Sequence, residues 1–233
     1  MAVVRSLTKV VILFLLISCN NNSTDTVTDI DILKPQPGYG QWWFDRHNSI
    51  IANLKPNQKI VFIGDSITQE WELHGKEAWQ EMQLLYNNQI LNHGIGGDGI
   101  AQVLWRLENG EFPSWLEPEY VVLMIGTNNN EPPKIVEGID LILKHIQNKS
   151  PTTKVLLFSL LPTGDFNHTI KNDTVNQMLK SSYTNYIDIF SYYINSDWTI
   201  KYDLFVDDNP IIIIHISLAG YNIWKEEIIK AVL

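Results

Sequence analysis

Short, continuous apolar runs alternate along the chain with stretches whose apolar residues recur every three or four positions. The runs are "KIVFIG" (59–64), "QILNHG" (89–94), "YVVLMIG" (120–126), "KVLLFSL" (154–160) and the weaker "YIDIF" (186–190). Runs this short and this unbroken suit β-strands covered on both faces. Between them, Ile100, Val103, Leu104 and Leu107 share one helical face, with Gly110 as a stop. Ile135, Ile139, Ile142 and Ile146 mark a second helix, and "IIKAVL" closes the chain. This alternation predicts a three-layer α/β sandwich around a five-stranded parallel sheet. In such sheets, sites form in loops at the carboxyl ends of strands.

Before the first run the pattern changes. Arg5 and Lys9 precede an apolar run, 10–17, too short for a bilayer span of roughly 20 residues. It fits the apolar core of a secretory signal. "LISC" resembles a bacterial lipobox, with Cys19, the only cysteine in the chain, as the lipidated residue. A lone cysteine there suits an anchor better than a disulfide framework. The polar stretch that follows reads as a tether. The expected organisation is a signal peptide over 1–18, lipidated Cys19 and a tether over 19–38, and one domain over 39–233. The expected location is the bacterial cell envelope, with the lipid as the only membrane contact.

Composition adds little. With 17 Lys and Arg against 26 Asp and Glu, the formal charge is −9 and no long basic run exists, which argues against nucleic acid as a partner. At 233 residues the chain fits a single α/β domain.

Four polar stretches follow apolar runs. In "FIGDSITQ", Ser66 opens a helical pattern; it reads either as an N-cap or as a nucleophile beside unpaired helix N–H groups. In "NHGIGGDG", Gly94, Gly96 and Gly97 call for close backbone approach or positive φ. No Lys-Ser/Thr follows, so this is not a phosphate-binding P-loop. A backbone N–H there could serve as an oxyanion donor. "LMIGTNNN" places Asn128 to Asn130 at the mouth of the third strand, as a turn or as side-chain donors. "VDDNPIIIIHISLAGYNIW" (206–224) puts His215 after four isoleucines, either as the end of a buried strand or as a base. Ser217 looks like the cap of the last helix. The six histidines show no ligand spacing such as H-E-x-x-H, so no metal and no cofactor are expected.

A serine, a glycine loop, an asparagine and a histidine in that order resemble the four blocks of the SGNH (GDSL-type) esterases and lipases. The resemblance spans roughly residues 40–232. "GDSITQ", "LNHGIGGDG", "VLWRLENGE", "GTNN" and "SLLPTGD" look like the catalytic subunits of platelet-activating factor acetylhydrolase and their bacterial relatives. The resemblance implies a flavodoxin-like SGNH hydrolase fold and ester hydrolysis without a cofactor. It implies Ser66 as nucleophile and His215 as general base. It also implies an oxyanion hole made of the Ser66 N–H, the Gly97 N–H and the Asn128 side chain. Chemically, a neutral hydroxyl needs a base to take its proton. A tetrahedral oxyanion needs preset donors, each worth about 3 kcal/mol. The implied substrate is a short acyl ester, most plausibly an O-acetyl group on a carbohydrate or small molecule. A ligand-binding lipoprotein without turnover, and a lipase or thioesterase for longer chains, are the competing readings.

The chain departs from the family at three places. "LPTG" carries Thr163, and the helix after the glycine loop begins Gly99-Ile100; both are expected to reshape the pocket. The third departure lies in the last block, which in the family reads D-x-x-H. Three residues before His215 stands Ile212, which cannot accept a hydrogen bond from the imidazole through its side chain. Asp208, seven residues before His215, is the expected acid if about four residues within 209–214 loop out; Asp207 is the alternative, and a backbone carbonyl would leave a Ser–His dyad.

Overall fold

A computed structural model describes residues 31–206 and 212–233. The five apolar runs form β1 (Ile60–Gly64), β2 (Ile90–Gly94), β3 (Tyr120–Met124), β4 (Lys154–Phe158) and β5 (Tyr186–Ile187). They pair in parallel in the order β2-β1-β3-β4-β5. Every residue of β1 is buried, as a strand covered on both faces requires. The order reverses between β1 and β3, which places the topological switch point at their carboxyl ends.

The helices are α1 (Gln41–Ala52), α2 (Ser66–Gln69), α3 (Lys76–Leu85), α4 (Ile100–Arg106), α5 (Pro132–Lys149), α6 (Phe166–Ser182) and α7 (Leu218–Val232). α3 packs on α7, α4 on α5 and α5 on α6. The predicted isoleucine stripe of α5 is wholly buried. Each apolar side chain of that size contributes about 1.5–3 kcal/mol on burial. Ser217 caps α7, accepting from the Gly220 N–H. α4 ends in a π-type turn, Leu107–Glu111, where Gly110 has φ +109°, so the predicted stop stands.

Of the isoleucine run, Ile212, Ile213 and Ile214 lie outside any strand, and all three pack on the core. Ile213 instead gives its carbonyl to the Gly164 N–H at 2.7 Å. The chain around them closes on itself, since the Val206 N–H donates to the His215 carbonyl at 3.0 Å beside an antiparallel bridge between Phe205 and Ile216. The residues of the other two departures, Gly99, Ile100 and Thr163, are buried. Ile100 is buried against Gly138 of α5, where an added Cβ would lie 2.3 Å from it. Thr163 is buried, with its hydroxyl on the Asp165 carbonyl. Within the stretch read as tether, Ile32 packs on the core and the Gln36 N–H donates to the Ala101 carbonyl. Cys19 lies outside the described residues.

Candidate active site

The end of β1 sets the first functional side chain. Gly64 ends the strand in a crowded place; an added Cβ would sit 2.1 Å from the Thr68 hydroxyl. Asp65 then caps α2 by accepting from the Ile67 N–H at 3.0 Å. So Ser66 is the first helical residue and not the cap, which leaves its hydroxyl unused by the backbone. Burial pushes the Asp65 carboxyl up to about 7, with Asp98 adding to the rise.

The end of β2 clamps that helix. The Asn92 side-chain amide donates to the carbonyls of Thr68 and Gln69. Gly94 faces the Gln69 backbone nitrogen so closely that an added Cβ would be 2.1 Å away. Gln69 returns the contact, its side-chain oxygen accepting from the Gly96 N–H at 2.7 Å. Gly97 has φ +74°, and nothing lies within 4 Å of where its Cβ would be. The loop therefore presents bare backbone at this position, as an oxyanion donor requires.

At the end of β3, the Asn128 side-chain amide donates to the Asp98 carbonyl at 2.9 Å. One hydrogen ties Asn128 to the glycine loop; the amide carries a second. From the C-terminal side, His215 Nε2 lies 3.0 Å from Ser66 Oγ across 149 residues of sequence. A base within hydrogen-bond reach of a serine hydroxyl can take its proton during attack on an acyl carbon. The structure thus brings Ser66 and His215 together and fixes Asn128 to the Gly97–Asp98 turn. Asp207 and Asp208 lie outside the described residues.

A carboxylate that the sequence reading passed over lies on the other side of the imidazole. Glu70 Oε1 is 3.2 Å from His215 Nδ1, and both side chains are 14% exposed. The signal was present in the spacing: Ser66 and Glu70 are four apart, hence neighbours on one helical face.

Also unassigned from sequence was the support under the glycine loop. Arg106 is buried, with Nε 2.8 Å from Asp98 and Nη1 2.7 Å from Glu111. Its remaining donors reach the His93 carbonyl at 2.6 Å and the Gly64 carbonyl at 3.1 Å. Trp43 of α1 donates its indole N–H to Asp98 at 2.6 Å, and His47 contacts Glu111 at 2.7 Å. Thus Trp43 packs an N-terminal helix onto the domain, while Trp42 is exposed. Burial lifts the Asp98 carboxyl to about 6 against the pull of Arg106. For Glu111, burial acts upward too, but Arg106 and His47 prevail and hold it low. His93 is fully buried; burial lowers it to about 4, so it is neutral and serves as no second base.

Asn128 is also one wall of a cleft of about 410 Å³ lined by Thr127, Asn130, Asp165, Asn167, His168 and Lys171. Lys171 is held by the carbonyls of Thr127 and Asn129, each at 2.7 Å. Burial lowers its ammonium to about 8.

Residues 62–223 match the GDSL-like lipase/acylhydrolase family, a span that includes Ser66, Gly97, Asn128 and His215. The chain belongs to this family. Similar proteins include the platelet-activating factor acetylhydrolase IB subunit alpha1 of Homo sapiens, 33% identical over 203 residues, covering 81% of this chain and 83% of that one. The alpha2 subunit of Gallus gallus is 34% identical over 174 residues, covering 70% and 74%. Among solved structures, a GDSL-like lipase from Bacteroides thetaiotaomicron superposes with a TM-score of 0.64 at 19% identity, over 81% of this chain and 96% of that one. As a GDSL family member the protein is an esterase, with an α/β fold built on a five-stranded parallel sheet.

Proposed function

We propose that this GDSL esterase removes short acyl groups, O-acetyl above all, from a carbohydrate or another small polar alcohol. The observation that carries the reading is the 3.0 Å approach of His215 Nε2 to Ser66 Oγ at the switch point of the sheet. Ser66 attacks the acyl carbon as His215 takes its proton. The oxyanion that forms is met by the N–H groups of Ser66 and Gly97 and by the Asn128 amide. His215 then returns the proton to the departing alcohol, and water repeats the cycle on the acyl-enzyme.

The cleft beside Asn128 carries amides, a carboxylate, an imidazole and an ammonium on its walls, groups that can hydrogen-bond the hydroxyls of a polar acyl acceptor. Similarity to the platelet-activating factor acetylhydrolase subunits supports a short acyl group. Retention of the serine and histidine within reach favours turnover over a ligand-binding role. The lipobox-like "LISC" supports lipidation at Cys19, which would hold the enzyme at the cell envelope, where glycans are encountered.

An acyl-chain series tests the specificity. From p-nitrophenyl acetate to butyrate to octanoate, kcat/KM is expected to fall at each step and by about tenfold or more overall, since single methylenes shift such ratios by comparable amounts. A maximum at octanoate would replace this reading with that of a lipase.

A further inference from the structure

We infer that Glu70 is a positioning carboxylate for His215, so that the nucleophile and an acid stand on one helical turn. The inference rests on the reading of Ser66 and His215 as nucleophile and base. Ser66 opens α2, and Glu70 follows its last residue as the first of a 3₁₀ turn, Glu70–Glu72. The Glu70 N–H bonds to the Ser66 carbonyl, so the two residues are one turn apart on one face. The imidazole of His215 is set between their side chains, with Nε2 3.0 Å from Ser66 Oγ and Nδ1 3.2 Å from Glu70 Oε1.

That placement selects a tautomer. A carboxylate at Nδ1 favours the proton on that nitrogen, which leaves Nε2 as the acceptor facing the serine hydroxyl. It also stabilises the imidazolium formed when Nε2 takes the serine proton. No bond forms or breaks at Glu70 in this role, and its proton count does not change.

The backbone that carries the carboxylate is well held. The Leu73 and Gly75 N–H groups donate to the Glu70 carbonyl, each at 3.0 Å. Trp71, the next residue, is buried in the aromatic cluster with Tyr221 and Trp224 of α7. The other carboxylate oxygen lies 3.6 Å from His74 Nε2, one helical turn further on. Glu70 is thus fixed by the helix of the nucleophile, independently of the altered chain before His215. An acid carried there explains how a substitution as disabling as isoleucine at position 212 is compatible with an oriented histidine.

The test compares Glu70→Gln, Glu70→Asp, Asp208→Asn and Ser66→Ala on p-nitrophenyl acetate, with thermal midpoints for each. Glu70→Gln keeps shape and hydrogen-bonding capacity but loses the charge. It is expected to lower kcat by about 10²- to 10⁴-fold, up to the effect of removing the acid from a serine triad. KM should stay within about threefold, because the loss falls on the transition state. Glu70→Asp should recover part of the rate, and the midpoint of Glu70→Gln should match wild type. A Glu70→Gln enzyme within about twofold of wild type in kcat would overturn the inference. So would a loss of rate accompanied by an equal loss of folded protein at the assay temperature. If Asp208→Asn abolishes turnover while Glu70→Gln does not, the acid is Asp208 and the inference falls. If Ser66→Ala retains wild-type rate, the reading of the site fails as a whole, a result separate from any outcome at Glu70.

Discussion

Ser66→Ala is expected to reduce kcat for p-nitrophenyl acetate by about 10⁴- to 10⁶-fold, the range seen when a serine nucleophile is removed. At 1.36 kcal/mol per decade this is about 5–8 kcal/mol of barrier. The residual rate comes from the donors that remain at Gly97 and Asn128. Stability should be unchanged, because Asp65 and not Ser66 caps α2. His215→Ala should cost about as much, and the double variant hardly more, since the two side chains act as one unit across their 3.0 Å contact. Steady-state rates and thermal midpoints of the three variants check this. A Ser66→Ala enzyme as fast as wild type would remove the basis for the assignment.

Arg106→Met is expected to be the most destabilising single change in the support of the site. It leaves the buried carboxylates of Asp98 and Glu111 without the cation that lies 2.8 Å and 2.7 Å from them. Breaking a buried pair from one side costs about 3–5 kcal/mol, or a fall in Tm of roughly 6–20 °C for a domain of this size. The carbonyls of His93 and Gly64 also lose donors. The deficit has a pH dependence with a definite sign. Without Arg106, burial raises both carboxylates in the folded state above their unfolded values. Groups raised on folding contribute stability at low pH and lose it as pH rises. The gap between variant and wild type should therefore be smaller near pH 5 than at pH 8. Thermal or urea denaturation at the two pH values measures it, and a gap that is the same at both would contradict the pull of Arg106 on the two carboxylates.

The sheet was legible because its strands are buried on both faces, so each appears as an unbroken apolar run. The first four matched closely; in the fifth, pairing is confined to Tyr186 and Ile187. Isoleucine fits a pleated surface, but a strand also needs a ladder, and Ile212, Ile213 and Ile214 lie in none; they act as apolar cover on the core. The serine, glycine loop, asparagine and histidine were readable because each follows an apolar run. Glu70 was hard to read because it lies 145 residues before His215, and only the fold brings its carboxylate to the imidazole. Arg106 was visible inside "VLWRLENGE", three residues after Val103. Its role depends on the carbonyls of Gly64 and His93, at the ends of two separate strands, and no local pattern states that they converge.

The central claim is that His215 activates Ser66 for acyl transfer. A fluorophosphonate probe, followed by peptide mapping of the labelled protein, measures this most directly. One adduct on Ser66 in the folded wild type, absent in Ser66→Ala and strongly slowed in His215→Ala, is the result predicted. A folded protein that takes up no probe, or that carries it on a different serine, would contradict it.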